Sequence, residues 1–180
     1  MATSQTLQPK KHHGRPDLPG EHRWGDLGQL ILLFIFGFIW VSDSFFLRYS
    51  TFPAEYVHIW LRGLVALVIL SIAWAFARQG MKIVFGEKRE KPELINKGVF
   101  KLVRHPIYLG AILLYLGLVV FTLSIASLVC WVFIVIFYII ISRYEEKVLT
   151  KEFGEAYIQY KKDVPMLIPD IFGIKLRSNN

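Results

Sequence analysis

The sequence predicts an all-α, polytopic membrane protein with four transmembrane helices, the last two paired as a helical hairpin, and a C-terminal amphipathic helix. Three observations predict it. The 180-residue chain is 54% hydrophobic and only 19% charged, against roughly a quarter charged in an ordinary soluble domain. Its charges are confined to particular segments between long neutral ones. The 38 residues from His105 to Ser142 hold no Asp, Glu, Lys or Arg at all. A net charge of +7 suggests nucleic acid, but a basic loop pinned to a bilayer suits anionic lipid headgroups better. The single cysteine, Cys130, excludes an internal disulfide framework and any Cys-based zinc site.

Residues 1–26 are polar, with Gly14, Pro16, Pro19 and Gly20 and no apolar core. They read as a mobile or interfacial tail, neither a secretory signal nor a folded unit. His12, His13 and His22 lie in it without any cysteine and are not expected to hold a metal. Residues 27–47 form the first apolar run, long enough at 1.5 Å per residue to cross about 30 Å of hydrocarbon. The second, residues 56–77, holds Arg62 near its start and ends at Arg78. Residues 78–104 form a cytoplasmic loop with eight basic and three acidic residues.

The neutral block comes next. As one straight helix it would extend roughly 57 Å, nearly twice the hydrocarbon thickness. A hairpin over residues 105–144 is therefore expected, with its turn at 122–127, where Thr122, Ser124 and Ser127 supply hydroxyls to freed backbone groups. In residues 145–163 the apolar positions Leu149, Phe153, Tyr157 and Tyr160 are spaced by four, four and three. That is one face of an amphipathic helix, ended by Pro165 and Pro169.

Orientation follows from the basic residues. Of 21 Lys and Arg, four lie in the tail, eight in 78–104 and seven from Arg143 onward. Only Arg48 and Arg62 flank the first connection. Four spans put 19 of the 21 on one side, which the positive-inside rule makes cytoplasmic. Both termini are then cytoplasmic, in the plasma membrane of a prokaryote or the endoplasmic reticulum of a eukaryote. Asp43 and Arg62 are expected to snorkel outward separately rather than pair. Trp40, Trp60, Trp74 and Trp131 read as packing or interfacial aromatics, and Cys130 as a buried apolar residue.

Two polar clusters sit where the neutral block meets the cytoplasm: Arg104-His105-Pro106 with Tyr108 and Gly110, and Arg143 with Glu145 and Glu146. A hairpin returns to its starting side, so the two should converge at one membrane boundary. Each residue also has an ordinary reading. Arg104 and Arg143 suit snorkelling, His105-Pro106 suits a helix start, and the two glutamates suit the first turn of an amphipathic helix. Spacing alone names no reaction.

The residues 94–110, Leu94-Ile95-Asn96-Lys97-Gly98-Val99-Phe100 and then Arg104-His105-Pro106-Ile107-Tyr108-Leu109-Gly110, match L-V-x-x-G-x-Y…R-H-P-x-Y-x-G. After the hairpin, Glu145-Glu146…Leu149…Phe153-Gly154…Tyr157…Tyr160…Val164-Pro165…Ile168-Pro169 matches a second motif. In these two motifs, in this order, the chain resembles the isoprenylcysteine carboxyl methyltransferase family and its phospholipid N-methyltransferase relatives. The resemblance covers residues 93–169.

It implies an integral-membrane methyltransferase that uses S-adenosyl-L-methionine, with a lipophilic acceptor entering from the bilayer and no metal. Carried over, the cofactor pocket involves Leu94, Ile95, Phe100, His105, Pro106, Ile107, Tyr108, Glu145 and Glu146. The family usually has tyrosine at the place of Phe100, so a hydroxyl is lost there. The cofactor's cations suit aromatic faces and carboxylates, and its carboxylate suits His105, Tyr108 and helix-start N–H groups. Arg143 is the candidate to hold a carboxylate acceptor and Glu146 the candidate base for an amine acceptor. The carboxylate of an isoprenylcysteine-like substrate is the leading expectation. Alternatives are N-methylation of a phospholipid amine, S-methylation of a small thiol, a non-catalytic membrane scaffold and a sterol-reductase-like protein.

Overall fold

The computed structural model describes residues 23–86 and 92–170, and all regular structure among them is helical. Most of the expected tail, with His12, His13 and His22, lies outside the described residues. Helix α1 is Arg23–Val41, continued by a π-helical turn over Ser42–Leu47. Helices α2, Ile59–Phe85, and α3, Pro106–Thr122, follow. The last two are α4, Ile125–Phe153, and α5, Glu155–Asp163. Three segments, Leu27–Leu47, Ile59–Phe85 and Ile125–Phe153, are long and apolar enough to cross a membrane. The apolar α3 is shorter, at 17 residues. These helices are those of a membrane protein.

The neighbours run in alternating directions. Gly80 of α2 faces Ile107, and Gly117 of α3 faces Leu70, so α2 and α3 are antiparallel. Their approach is close because small residues meet: a Cβ on Gly110 would lie 2.9 Å from the Ala73 carbonyl and 3.0 Å from the Ala77 nitrogen. Lipid tails are as apolar as leucine, so van der Waals contact of this kind, rather than burial from water, holds helices together in a bilayer. On the other side of α3 lies α4, where the Trp131 indole donates to the Ile112 carbonyl at 3.0 Å. α1 packs against both, with Phe36 edge-on to Tyr115 at 4.7 Å and the Trp40 indole donating to the Leu118 carbonyl and Thr122 Oγ1. Trp60 and Trp74 are exposed, and Cys130 is buried among the interior apolar side chains.

The α3–α4 turn falls where the hydroxyls predicted it. Leu123 takes a left-handed conformation and Ser124 caps α4, its Oγ accepting from Ser127 N at 3.1 Å. The Ser50 carbonyl and Oγ accept from Ile125 N and Ala126 N, and the Ser124 carbonyl from Leu128 N. The first four N–H groups of α4 are thus all satisfied. Beneath them lies Asp43, 6% exposed. It accepts from Ser50 Oγ at 2.5 Å, Ser124 Oγ at 2.6 Å and Ser50 N at 3.0 Å. The expectation that Asp43 snorkels outward is corrected: hydroxyl donors within reach make burial cheaper than extension.

Two boundaries also move. α2 runs eight residues past Ala77, because Arg78, Gln79 and Lys82 favour helix and Gly86 is the first residue to interrupt it. α4 continues through Glu145 to Phe153, so no separate amphipathic helix starts at 145. The break comes at Gly154, whose φ of 56° and ψ of −129° suit glycine alone. A charged stretch changes what a helix faces, not whether it continues.

Candidate functional site

The ends of α2 and α4 and the start of α3 meet at the end of the bundle opposite Asp43. α5 folds back over them. The segments before α3 and after α5 are tied by backbone hydrogen bonds, Arg104 N to the Pro165 carbonyl at 2.9 Å and His105 N to the Met166 carbonyl at 3.1 Å. The Tyr160 hydroxyl donates to the Phe100 carbonyl at 2.6 Å. Tyr157, Tyr160 and Val164 form a small core with Leu94, Leu149 and Phe153. These contacts fix α5 as one wall of a cavity of about 220 Å³.

Val84, Phe85, Leu94, Ile95, Phe100, Ile107, Leu149 and Phe153 give the cavity an apolar and aromatic lining. Its polar groups are Glu93, Arg104, His105, Tyr108, Glu145, Tyr157 and Tyr160, with Pro106 at the helix start. The structure thus brings together eight of the nine residues expected to hold a cofactor. The ninth, Glu146, is not among the lining residues. Successive helical positions point about 100° apart, so Glu145 faces the cavity and Glu146 faces the junction of α4 with Arg104 and α5.

Glu145 accepts from the Tyr108 hydroxyl, and its Oε2 lies 3.5 Å from His105 Nδ1. The His105 and Tyr108 rings stack at 5.6 Å. Glu146 Oε1 accepts from Arg104 Nε at 2.7 Å and lies 3.4 Å from His105 Nε2, while Oε2 lies 3.1 Å from Lys161 Nζ. The alignment at His105 Nε2 is too poor for a hydrogen bond, so this buried nitrogen is electrostatically paired but not hydrogen-bonded. His105 precedes the first residue of α3. Burial pushes its pKa down, but the carboxylates of Glu145 and Glu146 outweigh this and raise it above the ordinary value. In α5, burial pushes the Tyr160 hydroxyl up to about 12.

Arg143, the expected holder of a carboxylate acceptor, is placed on the exposed face of α4 and does not line the cavity. Helical geometry explains this, since a residue two positions before Glu145 points to nearly the opposite side. The arginine at the cavity is Arg104. Its Nη1 donates to the Lys161 and Val164 carbonyls at 2.9 and 2.5 Å, at the negative end of α5. Glu146, the candidate base, has its oxygens directed at Arg104 and Lys161. Sequence reasoning treated Arg104 as an interfacial charge and missed Val84, Phe85 and Glu93. Leu149, Phe153, Tyr157 and Tyr160, read from their spacing as one face of a single amphipathic helix, line the cavity from two helices that meet at Gly154.

The donor set fits S-adenosyl-L-methionine. His105 at the start of α3 suits its carboxylate, Glu145 its α-ammonium, and the aromatic walls its adenine and sulfonium. Among the described residues no group of three or more His, Cys, Asp or Glu is arranged to hold a metal.

The family model described as phospholipid methyltransferase matches residues 54–156. A methanethiol S-methyltransferase of Crocosphaera subtropica is 31% identical over 113 residues, covering 62% of this chain and 44% of that protein. A protein-S-isoprenylcysteine O-methyltransferase of Schizosaccharomyces pombe is 38% identical over 112 residues, covering 55% and 43%. This chain therefore spans less than half the length of either. Among solved structures, the eukaryotic intramembrane Ras methyltransferase (isoprenylcysteine carboxyl methyltransferase) superposes with a TM-score of 0.61 at 21% identity, over 84% of this chain and 54% of that one. That likeness is one of fold.

Proposed function

Because this chain belongs to the phospholipid methyltransferase family, we propose that it is a membrane-embedded methyltransferase that binds S-adenosyl-L-methionine in the cavity at the α3–α4 end. The observation that carries the reading is the convergence of His105, Tyr108 and Glu145, from two motifs separated by a hairpin, on one apolar cavity. The cofactor supplies an electrophilic methyl group on a sulfonium. Glu145 and His105 orient the polar end of the bound molecule, with Glu145 itself held by Tyr108. The aromatic walls exclude water, which favours a displacement whose charges cancel. Nineteen of 21 basic residues on the cavity's side of the expected topology support a cytoplasm-facing site and cytoplasmic termini.

The acceptor is a lipophilic molecule reaching the cavity from the bilayer. An isoprenylcysteine-like carboxylate is supported by the second motif, from Glu145 to Pro169, and by the names of several relatives. A small thiol is the second reading. It is favoured by the methanethiol S-methyltransferase relatives and by Arg104 being committed to Glu146 and to α5. Calorimetry with S-adenosylhomocysteine on protein in detergent tests the cofactor. Binding is expected, whereas binding of NADPH in its place would favour a reductase, and binding of neither a scaffold. A labelled methyl donor offered with a prenylcysteine analogue, phosphatidylethanolamine and methanethiol then identifies the acceptor.

A further inference from the structure

Resting on the reading of this cavity as the cofactor site, we propose that Glu146 is a positioning residue, acting through Arg104, His105 and Lys161 and meeting no ligand itself. It is 5% exposed and absent from the cavity lining, although its neighbour Glu145 is part of it. Its two oxygens are divided between elements. One takes Arg104 Nε and faces His105 Nε2, on the segment before α3, and the other takes Lys161 Nζ on α5. Arg104 carries the link onward, since its Nη1 holds the carbonyls of Lys161 and Val164. Glu146 therefore ties together α4, the approach to α3 and the C-terminal end of α5.

Its consequences for the cavity run through those partners. Without Glu146, Arg104 loses its carboxylate partner and is held by its Nη1 bonds to α5 alone. Lys161, half in solvent, gains nothing by staying. α5 then keeps the Arg104 Nη1 bonds to its last carbonyls, no longer braced by Glu146, with the Tyr160–Phe100 bond, its small apolar core and the two backbone bonds to residues 104–105. The wall made by Tyr157 and Tyr160 loosens. His105 keeps Glu145 but loses the second carboxylate. The charged and titratable groups facing Glu146 are Arg104, His105, Lys161, Tyr157 and Tyr160, so a charge removed there is felt on every side of the junction. Protonating Glu146 would give up the Arg104 and Lys161 contacts together, which suits an anchor and not a base.

The test uses the full chain in detergent: wild type, Glu146→Gln, Glu146→Asp and Lys161→Met. Two readouts decide it, S-adenosylhomocysteine affinity as a function of pH and hydrogen exchange of the α5 amides without ligand. Glu146→Gln is expected to weaken binding by about 10- to 100-fold, the usual effect of losing a group that orients a ligand-binding side chain. It should also raise exchange in α5 and move the alkaline loss of affinity to lower pH, because one of the two carboxylates facing His105 is gone. Glu146→Asp, which keeps the charge, should restore part of each. Unchanged affinity and exchange in Glu146→Gln overturns the proposal. So does weakened binding with α5 exchange and the pH midpoint both unmoved, since that pattern marks direct ligand contact. Should Glu146→Gln not fold, Lys161→Met carries the test, with faster α5 exchange supporting the anchor and unchanged exchange overturning it. Absence of S-adenosylhomocysteine binding in the wild type refutes the cofactor reading instead, and exchange of the ligand-free protein still decides whether Glu146 anchors α5.

Discussion

The two ends of this helical bundle are built from the same parts and do opposite things. At one end a carboxylate, Asp43, meets hydroxyls across the α3–α4 turn; at the other, Glu145 and Glu146 meet Tyr108, His105 and Arg104 across the mouth of the same helix pair. The Asp43 end closes on itself. Its oxygens take Ser50 and Ser124, and the same serines cap α4. The other end stays open. Tyr and Phe side chains pack α5 beside α4 as a wall, and His105, Tyr108 and Glu145 line the cavity it leaves. A buried carboxylate whose partners bridge the chain holds the fold; polar groups that line an apolar cavity are available for a ligand.

The sharpest way to break this contrast is to change one carboxylate at each end. Glu145→Gln is expected to weaken S-adenosylhomocysteine binding by about 100-fold, near the upper end of what a charged hydrogen bond contributes, with little effect on thermal unfolding. Calorimetry and a melting curve on the same sample check both halves. Asp43→Ala should do the reverse. It strands the Ser50 and Ser124 donors and costs about 2–4 kcal/mol of stability, read by unfolding in detergent, while cofactor affinity stays near wild type. If Asp43→Ala removed binding as strongly as Glu145→Gln, the two ends would be coupled and the division would fail.

A gentler perturbation is pH. The raised pKa of His105 means its charged form is favoured by folding, so that contribution is fully present below the ordinary value near 6.5 and is lost as pH rises through the raised one. Stability in detergent should therefore fall on the alkaline side of that transition, S-adenosylhomocysteine affinity should fall with it as the imidazolium facing the site is lost, and both falls should vanish in His105→Gln. An affinity flat with pH would remove the charged histidine from the site. The smallest effect expected is that of Arg143→Ala. Exposed and outside the cavity lining, it should change cofactor affinity by less than about two-fold, against a large loss for Arg104→Ala.

Much of the fold could be read before the coordinates. The uncharged stretch exceeds the bilayer thickness, so it must turn, and Thr122, Ser124 and Ser127 mark where. Pattern says less about where a helix stops. α2 and α4 both run on through charged residues, because helix continuity depends on backbone propensity, whereas the apolar run measures only what the helix faces. At the site, eight cofactor candidates came from two motifs and all line the cavity. Glu146 and Arg143, one and two helical positions from Glu145, lie outside the lining: near neighbours in a helix face different ways, and a motif does not record its rotation.

What the amino-acid sequence by itself determined is therefore the class of protein, the reversal of the long neutral block and the pairing of His105 with the glutamates at one end. These follow from length, charge and the cost of polar groups in hydrocarbon, which are properties of the chain read in order. Only the tertiary structure decided which glutamate faces the cavity, which arginine stands beside it and that α5 closes its wall. Those depend on helix rotation and on contacts as distant as Arg104 with Val164 and Tyr160 with Phe100, and packing sets them once all the helices are in place.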